Sequence, residues 1–230
     1  MNTRTVFAVA LSLFALAGAS ATMAADEVIR ARSFDTADLR SVQLKVGVGD
    51  IRIESGTTDT IEARVTIRAK RTTGIFSSLP DVEKLDIAAK TRGDRLSLEI
   101  DAKNIEETWV LRLPKKILSS VEVALGVGDI NVNTPAKFIS VDLGVGDADI
   151  ETPQGAVTLQ VGTGDGKIRT PISNAGSIDG KTGVGSASLK GLEGTVSSST
   201  VGGSVRGQGR GQQPIEARIG VGDLSIELTK

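Results

Sequence analysis

The chain contains no cysteine and no histidine in 230 residues. Without cysteine there is no disulfide framework, no thiolate metal site and no lipid attachment through a thiol, so stability has to come from packing. Without histidine the commonest proton shuttle and the commonest transition-metal ligand are both gone. Aromatic residues are scarce: one Trp, five Phe and no Tyr. Two of the phenylalanines, Phe7 and Phe14, lie near the N-terminus, which leaves Phe34, Phe76, Phe138 and Trp109 for the rest of the chain. A core so poor in rings must be filled by Val, Ile, Leu and Ala. Neither sign of charge dominates, with 27 basic residues against 28 acidic. That balance leaves no electrostatic footprint for nucleic acid or anionic lipid. Beyond the first 25 residues no apolar run approaches the roughly 20 residues that a membrane span needs.

Those first residues have a layout of their own. Arg4 is followed by an apolar run from Val6 to Ala19 and then by small residues ending in Ala24 and Ala25. A basic start, an apolar centre and a small-residue cut site define a secretory signal peptide, expected at 1–25 with cleavage after Ala24 or Ala25. Removing Arg4 leaves 26 basic against 28 acidic residues, a net charge near −2. The remaining chain is expected to be exported, to the periplasm or the cell surface, as one domain over 26–230.

What the chain does have is a repeat. "GVGDIRI" at 47–53 returns as "GVGDINV" at 126–132, "GVGDADI" at 144–150 and "GVGDLSI" at 220–226, with looser copies "GTGDGKI" at 162–168 and "GVGSASL" at 183–189. Gly126, Gly144 and Gly162 are spaced by 18 residues, and Thr134-Pro135, Thr152-Pro153 and Thr170-Pro171 keep the same spacing. Two independent markers in step establish the period.

Within each unit the apolar residues alternate, as in Val121, Val123, Leu125, Val127 and in Val141, Leu143, Val145. The same holds for Val42, Leu44, Val46, Val48 and for Ala217, Ile219, Val221. Period-2 alternation is the pattern of a strand with one buried face. After each Gly-Asp pair the inward positions restart three residues later, from Val48 to Ile51, Val127 to Ile130, Val145 to Ala148 and Val221 to Leu224. The pair therefore reads as a bend that keeps both arms facing one interior. Glycine reaches positive φ without steric cost, and Asp accepts hydrogen bonds from nearby backbone N–H groups. The expected structural corners are Gly47, Gly49 and Asp50; Gly126, Gly128 and Asp129; Gly144, Gly146 and Asp147; Gly162, Gly164 and Asp165; and Gly220, Gly222 and Asp223.

A unit of about 18 residues cannot bury its own face and must stack on its neighbours. The expected fold is all-β, a single-chain parallel β-helix or solenoid. Residues 115–230 form about six regular rungs roughly 4.8 Å apart. Residues 26–114 are less regular but strand-rich, with one full corner, and read as the start of the same solenoid with longer strands. Within them, 71–86 breaks the pattern and reads as a protruding loop. Residues 207–214, "GQGRGQQP", read as another.

An exported chain with G-x-G-D corners at this spacing, few aromatics and alternating Val and Ile resembles the bacterial putative-adhesin family of β-solenoid proteins. The resemblance covers roughly 40–230 and rests on Gly47–Asp50, Gly126–Asp129, Gly144–Asp147, Gly162–Asp165 and Gly220–Asp223. It implies a domain of unknown function with a surface-adhesion role and supplies no catalytic residues. Ser186 and Ser204 stand where the pattern has Asp.

Stacking places Asp129, Asp147 and Asp165 in a row. Unit charges at 4.8 Å repel by about 1 kcal/mol in water and about 3.5 kcal/mol at an effective dielectric of 20. A backbone hydrogen bond to a charged acceptor returns about 1.5–3 kcal/mol, so a wet row is sustainable on structural grounds alone. The alternative is that these three residues are oxygen ligands for a divalent cation, a reading favoured by similarity to the calcium β-rolls of secreted toxins. Those carry their Asp one residue later and twice per turn.

"AGSIDGKT" at 175–182 approaches a phosphate-binding loop, but Ala175 replaces its first Gly and no helix pattern follows. A polysaccharide-acting β-helix would need a carboxylate pair, and nothing singles one out. Trp109, alternating with Leu111 and Leu113, reads as core or cap. The leading expectation is therefore a non-catalytic envelope interaction module without a cofactor, its partner an envelope protein or glycan. Its open ends invite self-association.

Overall fold

A computed structural model describes residues 27–70, 80–171, 175–190, 196–200, 205–208 and 215–229, with side-chain detail through Thr170. The N-terminal segment 1–25 and the stretch 71–79 lie outside the described residues, as does most of 207–214. The chain is all-β, with no α-helix among the described residues. Its strands are β1 (Glu27–Asp35), β2 (Ser41–Ser55), β3 (Thr60–Ala69), β4 (Ala88–Arg92), β5 (Arg95–Glu99) and β6 (Ile105–Leu113). Then follow β7 (Ser120–Val127), β8 (Ile130–Asn133), β9 (Phe138–Val145), β10 (Ala148–Glu151), β11 (Gly155–Thr163) and β12 (Gly166–Pro171). The last are β13 (Ala175–Lys190), β14 (Val196–Thr200), β15 (Val205–Gln208) and β16 (Ile215–Thr229). A short 3₁₀ turn, Val82–Lys84, lies between β3 and β4.

The strands form one open sheet whose middle bends at the Gly-Asp corners. On one side of the bend β7, β9 and β11 pair in parallel, with Val121 opposite Ile139 and Ile139 opposite Val157. On the other side β8, β10 and β12 pair in parallel, with Ile130 opposite Ala148 and Ala148 opposite Gly166. Strand β2 runs through the bend, its first half beside β7 and its second beside β8. The two arms enclose a single apolar core. Val121, Val123, Leu125, Ile139, Val141, Leu143, Val157, Leu159 and Val161 contribute from one arm; Ile51, Ile53, Ile130, Val132, Ala148, Ile150 and Ile168 contribute from the other. Full burial of each Val, Leu or Ile is worth about 1.5–3 kcal/mol. Thr134, Thr152 and Thr170 are buried where the second arm ends.

Three expectations are corrected. Val127 and Val145 do not face the interior: they are 47% and 48% exposed, and Val48 is half-buried. Inward positions run directly from Leu125 to Ile130 and from Leu143 to Ala148, so the bend consumes the four residues Gly-Val-Gly-Asp. Its cause is the second glycine. Gly49, Gly128, Gly146 and Gly164 sit at φ between 132° and 134°, which swings the preceding Val out to solvent. Second, the N-terminal part is not a run of longer parallel rungs. Strand β3 is antiparallel to both β1 and β6, and β4 to β5. Within this part of the chain, β5 and β6 alone join β2 in parallel. The four-residue link 56–59 between β2 and β3 is too short for a parallel crossover, so the chain reverses. Third, chain order is not kept at the C-terminal end. Strand β16 lies between β13 and β14 in the first arm and between β12 and β13 in the second.

Candidate functional site

The corners line up into one ridge on the outside of the bend. A Cβ built on Gly128 would overlap the carbonyl oxygen of Gly49, one on Gly146 that of Gly128, and one on Gly164 that of Gly146. The first glycines stack similarly: a Cβ on Gly126 would meet Gly47 O, one on Gly144 would meet Gly126 O, and one on Gly162 would meet Gly144 O. Glycine is therefore required at the second position on two counts, backbone angle and space. In the C-terminal copies the backbone pairs Gly220 with Gly183 and Gly222 with Gly185. The side chain of Asp223 lies outside the described detail.

The aspartates run beside the glycines. Oδ1 of Asp50 accepts from the backbone N–H of Asp129 at 3.2 Å. Oδ1 of Asp129 accepts from Asp147 N–H at 3.0 Å, and Oδ1 of Asp147 from Asp165 N–H at 2.9 Å. In the reverse direction Ile51, Ile130 and Ala148 donate their N–H to the carbonyls of Asp129, Asp147 and Asp165 at 2.8–2.9 Å. Adjacent corners are thus clipped in both directions, each carboxylate satisfying a backbone donor of the next unit instead of its own. The three aspartates weighed as cation ligands, Asp129, Asp147 and Asp165, occupy this ladder. Among the described residues no three acidic side chains converge into a group able to hold a metal ion.

An open groove of about 810 Å³ runs along this ridge and onto the outer face of the second arm, bordered by Asp50, Asp129, Asp147 and Asp165 on one side and by Arg52, Asn131, Asp149 and Lys167 on the other. The next outward row alternates in charge. Arg112 lies 2.8 Å from Glu54 and 3.9 Å from Glu62, and Arg169 lies 2.8 Å from Asp149 and 3.2 Å from Glu151. Such exposed pairs contribute little to stability, about 0–1 kcal/mol each. Their effect is to present a flat, polar, regularly spaced face.

One group escaped the sequence reading. Glu107 projects inward and is 2% exposed, with Oε2 accepting from the Trp109 indole N–H at 2.7 Å. Burial pushes its carboxyl up to about 7, against the hydrogen bonds from Trp109 and the Gly47 N–H, which pull the other way. The signal was available: Glu107 occupies an inward position in the alternation Ile105, Glu107, Trp109, Leu111, Leu113. Trp109 itself is fully buried in the core.

Ridge, groove and core together define an all-β protein of short parallel strands stacked at glycine corners. Residues 20–169 match the family described as the N-terminal domain of toast_rack, DUF2154, and the chain belongs to that family, a domain of unknown function. No curated protein matches the chain. Among solved structures it is similar to a putative cell adhesion protein from Clostridium sporogenes ATCC 15579, at 15% identity and TM-score 0.52, over 88% of this chain and all of the other. It also aligns with a putative adhesin from Bacteroides fragilis NCTC 9343, at 17% identity and TM-score 0.43, over 86% of this chain and 97% of the other. The first likeness is one of fold.

No helix among the described residues is long and apolar enough to cross a membrane.

Proposed function

We propose that the chain is an exported, non-catalytic β-solenoid with rungs of about 18 residues, acting as an adhesin-like interaction module of the cell envelope. The observation that carries this reading is the ladder of Gly-Asp corners. It commits the motif to holding strands in register, and so leaves the outer faces as the part available to a partner. The faces carry evenly spaced Ser, Thr, Asn, Lys, Arg and Asp side chains, suited to multivalent polar contact with an envelope protein or a glycan. The adhesin names of the structural neighbours agree with that role. Solenoid ends are strand edges, and they fit end-to-end self-association.

The test has two parts. Fractionation with protease protection should find the chain outside the cytoplasm, cut after Ala24 or Ala25. The purified chain should then bind intact cells or isolated envelope polymers saturably, and the quadruple substitution Arg52→Ala, Asn131→Ala, Asp149→Ala and Lys167→Ala on the groove face should abolish that binding without changing the melting midpoint. A cytoplasmic chain, or glycan cleavage products on incubation with envelope polysaccharide, would overturn the proposal.

A further inference from the structure

We propose that Glu107, with Trp109 and Gly47, is a proton-operated latch that closes the N-terminal end of the parallel stack, holding when protonated and loosening when ionised. The geometry starts with a gap. On its outer side β2 pairs with β5 as far as Lys45 and with β6 only from Gly49 onward. Between those points no described strand lies beside it. Gly47 falls in this gap, where its N–H favours the ionised form of the Glu107 carboxyl, while Gly49 stands directly opposite Glu107 in the β2–β6 ladder. A Cβ on Gly49 would overlap the Glu107 carbonyl oxygen, so the two backbones are in close contact. One side chain therefore lies where β2 lacks an outer partner and is anchored to the core by the Trp109 indole.

The latch is sensitive to protons because its surroundings offer the ionised form no cation. Facing Glu107 in register are Gly49 on β2 and Ile67 on β3, with Val28 of β1 beyond Ile67. The nearest charged groups on these strands, Lys45, Asp50, Arg68 and Glu106, are on the exposed face, as are Asp101 and Lys103 in the link before β6. Arg30 of β1, in the adjacent inner row, spends its guanidinium on the carbonyls of Leu85 and Glu83 at 2.8 and 2.5 Å. Neither Arg32, paired with Asp86, nor Lys84, paired with Asp81, is left over to serve. A buried carboxylate with two N–H donors and no counter-charge gains by reaching water. Here the path to water is to part β2 from β6 at the gap.

Trp109 is the sole tryptophan, so its emission reports this contact directly. Titrating the purified chain from pH 5 to 9 should give one sigmoidal change in emission with its midpoint near neutrality, and the melting midpoint should fall across the same window. In E107Q, whose amide cannot ionise, both changes should vanish while emission stays at the acid-form value. Trp109→Phe removes one donor to the ionised form, so the midpoint of the melting-against-pH curve should move to higher pH; this variant keeps the proposal testable if E107Q does not fold. Flat emission and melting across this range in the unaltered chain, an E107Q titration that matches it, or an unmoved Trp109→Phe midpoint would each overturn the latch.

Discussion

Replacing Gly146 by Ala tests the corner directly, because the change adds one methyl group at the point where two constraints meet. Gly146 sits at φ 133°, a conformation that costs a residue with a side chain about 1–3 kcal/mol. The new Cβ would also overlap the carbonyl oxygen of Gly128, and that atom belongs to backbone, which cannot swing aside. Relief requires the two corners to separate. That strains the bonds from Gly128 N–H to Val145 O at 2.9 Å and from Asp147 N–H to Asp129 Oδ1 at 3.0 Å, each worth about 1 kcal/mol. The expected loss is about 3–5 kcal/mol, or about 10 °C in melting midpoint for a chain of this size. Gly47→Ala is the control. It alters the same motif, but a Cβ there meets nothing within 4 Å and φ is not positive, so stability should stay within about 0.5 kcal/mol. Circular dichroism of thermal and urea melts would measure both. If the two variants melt together, the corners are not held by backbone contact and the reasoning fails.

Four further outcomes follow from the same geometry. Asp147→Ala should lose about 1–2 kcal/mol by removing the acceptor for Asp165 N–H, whereas Asp147→Asn, which keeps an acceptor oxygen, should lose under about 0.5 kcal/mol; equal losses would mean that charge, not the hydrogen bond, is what matters. Calorimetric melts in calcium and in chelator should coincide, and a rise of several degrees with calcium would favour the cation reading of Asp129, Asp147 and Asp165. Arg169→Ala should cost less than about 1 kcal/mol, and that difference should shrink in high salt as exposed pairs are screened. Glu107 has a folded-state value raised from 4.5 to about 7, so its stabilising contribution is complete below about pH 4.5 and disappears as pH rises through 7. At about 1.4 kcal/mol per unit this amounts to about 3 kcal/mol, readable as urea midpoints at pH 5 and pH 8; stability that rises over that interval in the unaltered chain but not in E107Q would contradict the sign.

Particular residues show why some of this could be read from the sequence and some could not. The separation of Gly126, Gly144 and Gly162 is also the offset at which Val121, Ile139 and Val157 lie opposite one another, because a stack of repeats must repeat its pairing. Apolar alternation located the inward residues of the regular strands with side-chain detail, as at Val121, Val123, Leu125, Val141 and Leu143. It failed at Val127 and Val145, since alternation assumes an extended backbone and the φ of the next glycine breaks that assumption. The antiparallel β1, β3 and β6 carry the same period-2 pattern as a parallel strand, so direction had to come from the short 56–59 link, which the pattern does not weigh. Chain order at the C-terminal end was hidden for a related reason: the copies at 183–189 and 220–226 share a corner motif, so the motif cannot say which of them follows β12.

The aspartates make the deeper point about what a motif encodes. Read within one unit, Gly-Val-Gly-Asp suggests a self-contained turn with Asp binding its own backbone. In the folded chain every one of those atoms serves the neighbouring unit: the glycine leaves room for the carbonyl beside it, and the carboxylate accepts the N–H beside it. A motif of this kind has no meaning in isolation, so its copies cannot be equivalent. Those inside the stack are constrained from both sides, and the one at the end is not. Among the copies with side-chain detail, Gly47 is the one whose first glycine has open space, and it is also the one that lies beside a buried side chain, Glu107, where β2 has no outer partner strand. Repetition explains the middle of the stack, and the exceptions at its end are where individual residues acquire individual roles.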